Sequence, residues 1–385
     1  MTPTRREFIR TAGVVGTGLA LGGTTGCRDE AESGASSARA PTPVALKKIL
    51  ILGGTGFIGP HMVRYALGRG HEVTIFTRGQ AETEVPGDVE HLIGDRNDDH
   101  TALAGRTWDV VLDNNARDYR WVQKSTALLQ DAVERYLFVS TASVYAAESM
   151  GWENAGTVLL EPIVDETSAR VEAPEGWKEG DEAPYGFTKT LSENIAHAAF
   201  PGRTTVVRPG LIVGPGDPSD RFTYWPLRLE EGGEVLAPGN PEHANQVIDQ
   251  RDLTEWIVRL AENGTTGNFN GAGPADRLSM RSMLEQVGSV ASNPYELTWI
   301  PEAFLQEQEV RPWSEMPAWL PGDPASFVDV QTSIQAGLTH RPLPVTARDT
   351  LEWDKTRPTE QRENRGAGMS REREREVLDA WHATR

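Results

Sequence analysis

The chain has 385 residues, enough for one large domain or two smaller ones, with an apolar share ordinary for a globular protein. Fifty-six acids against 38 bases leave a net charge of −18, which argues against a nucleic-acid partner because its phosphates would be repelled. Eight scattered histidines lack ligand-like spacing and give a metal site little support, and the one cysteine, Cys27, leaves no disulfide to form within the chain.

Near the start, Thr4-Arg5-Arg6-Glu7-Phe8-Ile9-Arg10 precedes a weakly apolar run rich in Gly, Ala and Thr that ends at Gly26. This resembles a twin-arginine signal, so the expected partner is the twin-arginine export machinery and the expected location is periplasmic or at the cell surface. Gly26-Cys27 resembles the end of a lipoprotein box. A lipid anchor at Cys27 therefore leads over cleavage after Ala38-Arg39-Ala40. Residues 28–45, rich in Ala, Ser and Glu, read as a flexible tether.

From Lys47 the pattern changes. "KKILILGG" suits a buried parallel strand, and "TGFIGPHMVRYALGRG" has apolar residues at helical spacing up to Gly70. The turn between them holds Gly53, Thr55, Gly56, Phe57, Ile58 and Gly59, the candidate cofactor-binding loop. Such a loop needs a tight turn, close approach of backbone to a pyrophosphate, and free N–H groups at the helix start. The next strand, "HEVTIFTRG", ends on Thr77 and Arg78. A carboxylate there would bind the ribose hydroxyls of NAD; a guanidinium suits the extra phosphate, so NADP is favoured over NAD.

Alternation continues through "VEHLIGD", "DHTALAG", "WDVVLDN", "KSTALLQDAV" and "ERYLFVSTASVY". This predicts an α/β fold: a Rossmann-like doubly wound parallel sheet with a smaller C-terminal substrate-binding lobe. Asp95, Asn114, Asn115 and Thr141 each follow an apolar run, which places them at the ligand-binding edge of the sheet. Further on, "PYGFTKTLSE" sets Tyr185 and Lys189 one helical turn apart on one face. An adjacent ammonium favours a phenolate, so Tyr185 is the candidate for proton exchange with a substrate hydroxyl, with Thr141 orienting the same oxygen.

The motifs "GGTGFIG", Gly94-Asp95, "VSTASVY", "YGFTK" and "VVRPGLIVGPGD", in that order, resemble the extended short-chain dehydrogenase/reductase superfamily, the NAD(P)-dependent epimerase/dehydratase family, over roughly residues 47–273. The resemblance implies Tyr185 as acid/base, with Lys189 lowering its pKa and holding the nicotinamide ribose. It puts Thr141 on the family's serine, Asp95 at the adenine, Asn114, Asn115 and Ala116 along the cofactor, and Pro209 near the nicotinamide. Thr77 departs from the family's acidic residue, and the acidic stretch between Thr141 and Tyr185 is long enough to be a lid or an ordered insertion. "HEVTIFTRG" and "WDVVLDNNA" are also similar to a divergent branch that includes the chloroplast stem-loop RNA-binding proteins, a role the acidic charge opposes.

The expected divisions are a cofactor domain over 46–273 with a lobe insertion over 216–245, then lobe and helical tail over 274–385. Arg221, Tyr224 and Trp225 are the candidate substrate-binding residues: an arginine clamps an anion and aromatic faces suit sugar rings, the alternative for the aromatics being lobe core. Asp252 is the expected cap of the helix after "QVID", and "SREREREVLDAWHATR" reads as a solvated charged helix. Export implies a tightly held NADP or NAD restored within each cycle, and a small-molecule substrate, a sugar or related hydroxyl compound. The alternative is a non-catalytic dinucleotide-binding sensor. The oligomeric state stays open, a dimer included.

Overall fold

β1 (Lys48–Leu52) and β2 (Glu72–Thr77) flank α1 (Gly59–Gly68), and β3 (Glu90–Ile93) follows. β4 (Trp108–Asp113), α2 (Tyr119–Leu129), β5 (Val133–Val139), α3 (Tyr185–Ala199) and β6 (Thr204–Pro209) continue the alternation. The computed structural model describes residues 45–81, 83, 85–114, 116–146, 164–320 and 327–385; the signal-like segment, Cys27 and Asn115 lie outside them. The remaining elements are β7 (Leu211–Val213), α4 (Tyr224–Glu231), β8 (Gly233–Pro238), β9 (Ala244–Asn245), β10 (Val247–Asp249), α5 (Gln250–Asn263) and β11 (Gly267–Gly271). After them come β12 (Leu278–Ser279), α6 (Met280–Gly288), β13 (Tyr295–Ile300), α7 (Glu302–Glu307), α8 (Gln331–Gln335), α9 (Leu343–Lys355), α10 (Thr359–Glu363) and α11 (Arg371–His382).

The main sheet has seven strands in the order β11-β6-β5-β4-β1-β2-β3, all parallel. Its inner strands are largely apolar on both faces because helices cover both: α1 and α5 share one core with Ile49, Ile51 and Trp256, while Leu50, Phe76 and Phe138 face a second core on the side of α2 and α3. Strand order reverses between β1 and β4, which opens a crevice beyond their carboxyl ends. The smaller lobe has its own core, built around Phe222, Trp225, Leu236, Met283 and Ile300, with β8 paired to β13.

Several local expectations change. Asp249, not Asp252, caps α5 by accepting from the Arg251 N–H, and Asp252 instead accepts from the Arg341 N–H and guanidinium. The tail does not belong wholly to the lobe: Leu338 joins the α1–α5 core, and the Trp256 indole donates to the Ala336 carbonyl. α11 is charged but not wholly solvated. Val377 and Leu378 enter the lobe core, and Glu374 pairs inside it with Arg228, because one face of the helix closes that core.

Candidate active site

The loop after β1 is shaped by close approaches. Gly54 has φ +87°, and a β-carbon there would lie 2.8 Å from Ile75. At Gly59 a β-carbon would lie 2.5 Å from the Gly54 carbonyl carbon, so only glycine lets α1 start against the strand end. Gly56 has no atom within 4 Å of that position and faces open space. No side chain caps α1; in its first turn the Gly59 N–H donates to the Gly56 carbonyl at 3.0 Å and Pro60 has no N–H.

This loop forms one wall of a cavity of 1510 Å³. Gly53, Gly56, Phe57, Ile58 and Gly59 line it together with Arg78, Asn114, Thr141, Tyr185, Lys189, Pro209 and Arg221. A pocket of 130 Å³ shares Gly53, Gly56 and Arg78 and adds Thr55, Thr77 and Asp95. The Thr77 hydroxyl is already engaged, accepting from the Gly79 N–H and lying 2.7 Å from the His91 ring. These residues fit a dinucleotide: open approach to the backbone at Gly56, a helix start that no side chain caps, and a cation directly after β2. Gly53 through Gly59 would hold its phosphates, and Arg78 and Asp95 the adenosine end.

α3 begins at Tyr185, directly after Pro184, whose missing N–H costs nothing at a helix start. A β-carbon on Gly186 would lie 2.2 Å from the Ser143 carbonyl oxygen, so the helix start presses on the turn that follows β5. In that turn the Thr141 hydroxyl accepts from the Ser143 N–H at 3.2 Å and donates to the Ser143 hydroxyl at 3.3 Å. Tyr185 is 55% exposed at the cavity, whereas Lys189, one turn further, is buried. The Lys189 ammonium donates to the Val139 carbonyl at 2.9 Å and sits 4.9 Å from the centre of the Phe138 ring. Burial brings its pKa down to about 8.

One more turn along α3, Glu193 ties the site to its supports. Its carboxylate accepts from the Ser140 hydroxyl at 2.6 Å and from both the Nε and Nη2 of Arg208, at 3.0 and 2.8 Å. Arg170 adds a further contact at 2.8 Å. Ser140 immediately precedes Thr141 and Arg208 precedes Pro209, so a single buried carboxylate fixes the strand ends of β5 and β6 against the helix carrying Tyr185. Arg170 belongs to residues 164–184, the described part of the long acidic stretch. That part is anchored by a Val164–Val328 bridge and sends Val171 into the cavity wall.

Not every expected residue reaches the cavity. Tyr224 and Trp225 are buried in the lobe core, where the Trp225 indole donates to the Pro317 carbonyl; the core alternative holds for both. Ala116 is buried and lines neither cavity. Conversely, Arg117, Trp121, Ser143, Asp217 and Trp313 line the cavity and were not anticipated. Ser143 was visible within "STASVY". Trp313 carries no local signal, because it arrives from more than ninety residues beyond its neighbour Arg221.

A doubly wound sheet with a glycine loop at its switch point and a Tyr–Lys helix across the crevice defines a nucleotide-binding protein of the short-chain dehydrogenase/reductase type. Residues 49–271 match the NAD dependent epimerase/dehydratase family, and the chain belongs to it. A chloroplast stem-loop binding protein of 41 kDa from Arabidopsis thaliana is 37% identical over 56% of this chain, and the match spans 56% of that protein, only about half its length. A 2-alkyl-3-oxoalkanoate reductase of Stenotrophomonas maltophilia is 31% identical over 64% of this chain and 76% of its own. Among solved structures, the Bordetella bronchiseptica enzyme WbmH in complex with NAD+ superposes with a TM-score of 0.58 at 17% identity, covering 82% of this chain and all of that one.

Proposed function

We propose that this protein is an exported NAD(P)-dependent oxidoreductase of the epimerase/dehydratase type, acting on a sugar or related hydroxyl compound with its dinucleotide retained between turnovers. The observation that carries the reading is the single cavity lined at once by the glycine loop, by Thr141, Tyr185 and Lys189, and by Arg221 of the lobe. A bound nicotinamide dinucleotide supplies the hydride acceptor and donor. Tyr185 takes the proton from the substrate hydroxyl and returns it, Lys189 stands one helical turn behind it at the cavity wall, and Thr141 orients the substrate oxygen. Arg78 supports NADP over NAD. Similarity to a 2-alkyl-3-oxoalkanoate reductase supports a redox use of the site. The resemblance of residues 4–26 to a twin-arginine signal, with Cys27 as candidate lipid anchor, supports export to where no reduced nicotinamide pool exists, which favours retention. The net charge of −18 speaks against the RNA role in the chloroplast relative's name.

The test is to purify the full-length protein without added nucleotide, denature it, and identify released dinucleotide by mass spectrometry. Stoichiometric NADP or NAD is expected. Tyr185→Phe is expected to keep the dinucleotide and lose turnover. A protein that is empty and binds neither nucleotide, as a fold without its usual chemistry would be, overturns the proposal.

A further inference from the structure

The lobe side of the cavity holds an arrangement that the proton-transfer residues do not use. Among the described lining residues contributed by 211–221, 245–246 and 313–328, two are charged, Arg221 and Asp217. Arg208, Arg228, Arg251 and Arg357 are each held by a carboxylate, but no carboxylate of the described residues lies within ion-pair distance of Arg221. Its guanidinium instead lies over the Trp313 indole, 4.8 Å from the ring centre. Trp313 is held at φ +64°, a backbone state that non-glycine residues rarely adopt, within a turn where its N–H donates to the Met316 and Trp319 carbonyls. The ring contact uses no hydrogen bond, and none to the guanidinium is made among the described residues, so its N–H donors remain for a planar, bidentate anion.

Asp217 limits how much negative charge can enter. It is 2% exposed; its Oδ1 accepts from the Ser219 N–H and hydroxyl, and its Oδ2 has no hydrogen-bond partner. Burial pushes its pKa up, with the Arg221 charge opposing. Arg221 is the one cation among the described lining residues of this wall, so it offsets a single negative charge and not the two of a diphosphate, and the Asp217 carboxyl adds no positive charge. The rest of this wall offers little to sugar hydroxyls. The Gln246 amide is used at both ends by the Val328 backbone, the Asn245 amide nitrogen donates to the Ala318 carbonyl, and Leu211, Leu320 and Val328 are apolar.

We propose that this end of the cavity selects a hydroxy- or oxo-carboxylic acid, a single carboxylate on an apolar body, with the carboxylate docked on Arg221, and that it rejects the diphosphate of a nucleotide-linked sugar. The inference rests on the proposed function only for the place of the reacting oxygen, at Tyr185.

Isothermal titration of the full-length protein with 3-hydroxyoctanoate, its methyl ester and UDP-glucose tests it, with the dinucleotide content of the same preparation measured by mass spectrometry after denaturation. The acid is expected to bind about ten-fold or more tighter than the ester, and UDP-glucose no tighter than the ester. Arg221→Gln should bring the acid down to the ester's level without changing the dinucleotide content, and Arg221→Lys should recover part of the difference. Tight UDP-glucose binding without acid binding overturns the proposal. So does an acid preference that survives Arg221→Gln, or binding of none of the three. Failure of the acid on protein that carries dinucleotide removes the substrate class alone; failure on protein that is empty and binds neither NADP nor NAD removes the oxidoreductase reading as well.

Discussion

Replacing Glu193 with glutamine keeps the side chain's shape and removes its charge. The side chains of Glu193 and Arg208 are 0% and 1% exposed, so the variant leaves a guanidinium buried without its counter-charge. Breaking one partner of a buried pair typically costs about 3–5 kcal/mol, a large fraction of the roughly 5–15 kcal/mol by which domains are stable. Urea unfolding followed by circular dichroism at pH 7 should show that loss. Glu193→Leu with Arg208→Met should cost less than the two single changes added, because neither charge is then stranded. The pH dependence has a definite sign. Burial alone would raise the Glu193 pKa, but the hydrogen bonds and charge of Arg208 more than offset it, and the group sits below its ordinary value. Its stabilisation is therefore present above the unfolded-state value near ~4.3 and lost as the pH falls through the folded-state value, so wild type and variant converge in acid. A Glu193→Gln protein with wild-type stability at pH 7 would refute the placement of this carboxylate at the hub of the site.

Other changes separate the roles of neighbouring residues. Gly56→Val should abolish dinucleotide binding while leaving the melting temperature of the nucleotide-free protein little changed, since its side chain would enter open space; Gly59→Ala should lower the melting temperature, since its β-carbon meets the Gly54 backbone. Lys189, with burial bringing its pKa from 10.5 down to about 8, resists its own charge in the folded state. The wild type should therefore gain stability relative to Lys189→Met as the pH rises from about 8 towards 10.5, and parallel unfolding curves across that range would contradict the burial argument. Arg78→Ala should weaken NADP binding about ten-fold or more and change NAD binding little; equal losses for the two would mean that Arg78 does not read the extra phosphate.

Much of this fold was legible in the sequence because its signals are local. Short apolar runs between helical periods specify strands buried on both faces, and a glycine triplet at a strand-to-helix turn specifies a close approach whatever surrounds it. Tyr185, Lys189 and Glu193 share a helix face through their spacing of four, although only the first two carried a recognisable motif. Glu193 acquires its role from Ser140 and Arg208, which lie on separate strands. The mistaken expectations fell where local pattern is ambiguous: Asp249 and Asp252 both suit a helix start, and Tyr224 and Trp225 suit a binding surface as well as a core.

The sequence by itself determined the class of sheet, the loop meant for phosphates and the Tyr–Lys pair, since each depends on periodicity or on contacts within a turn or two. Only the tertiary structure decided which of those residues share one cavity. It also decided that the lobe aromatics are packing, that Trp313 lies beneath Arg221, and that Gln246 and Asn245 are already engaged. These outcomes depend on contacts between segments tens of residues apart, and burial and hydrogen-bond satisfaction are settled only when the chain closes on itself.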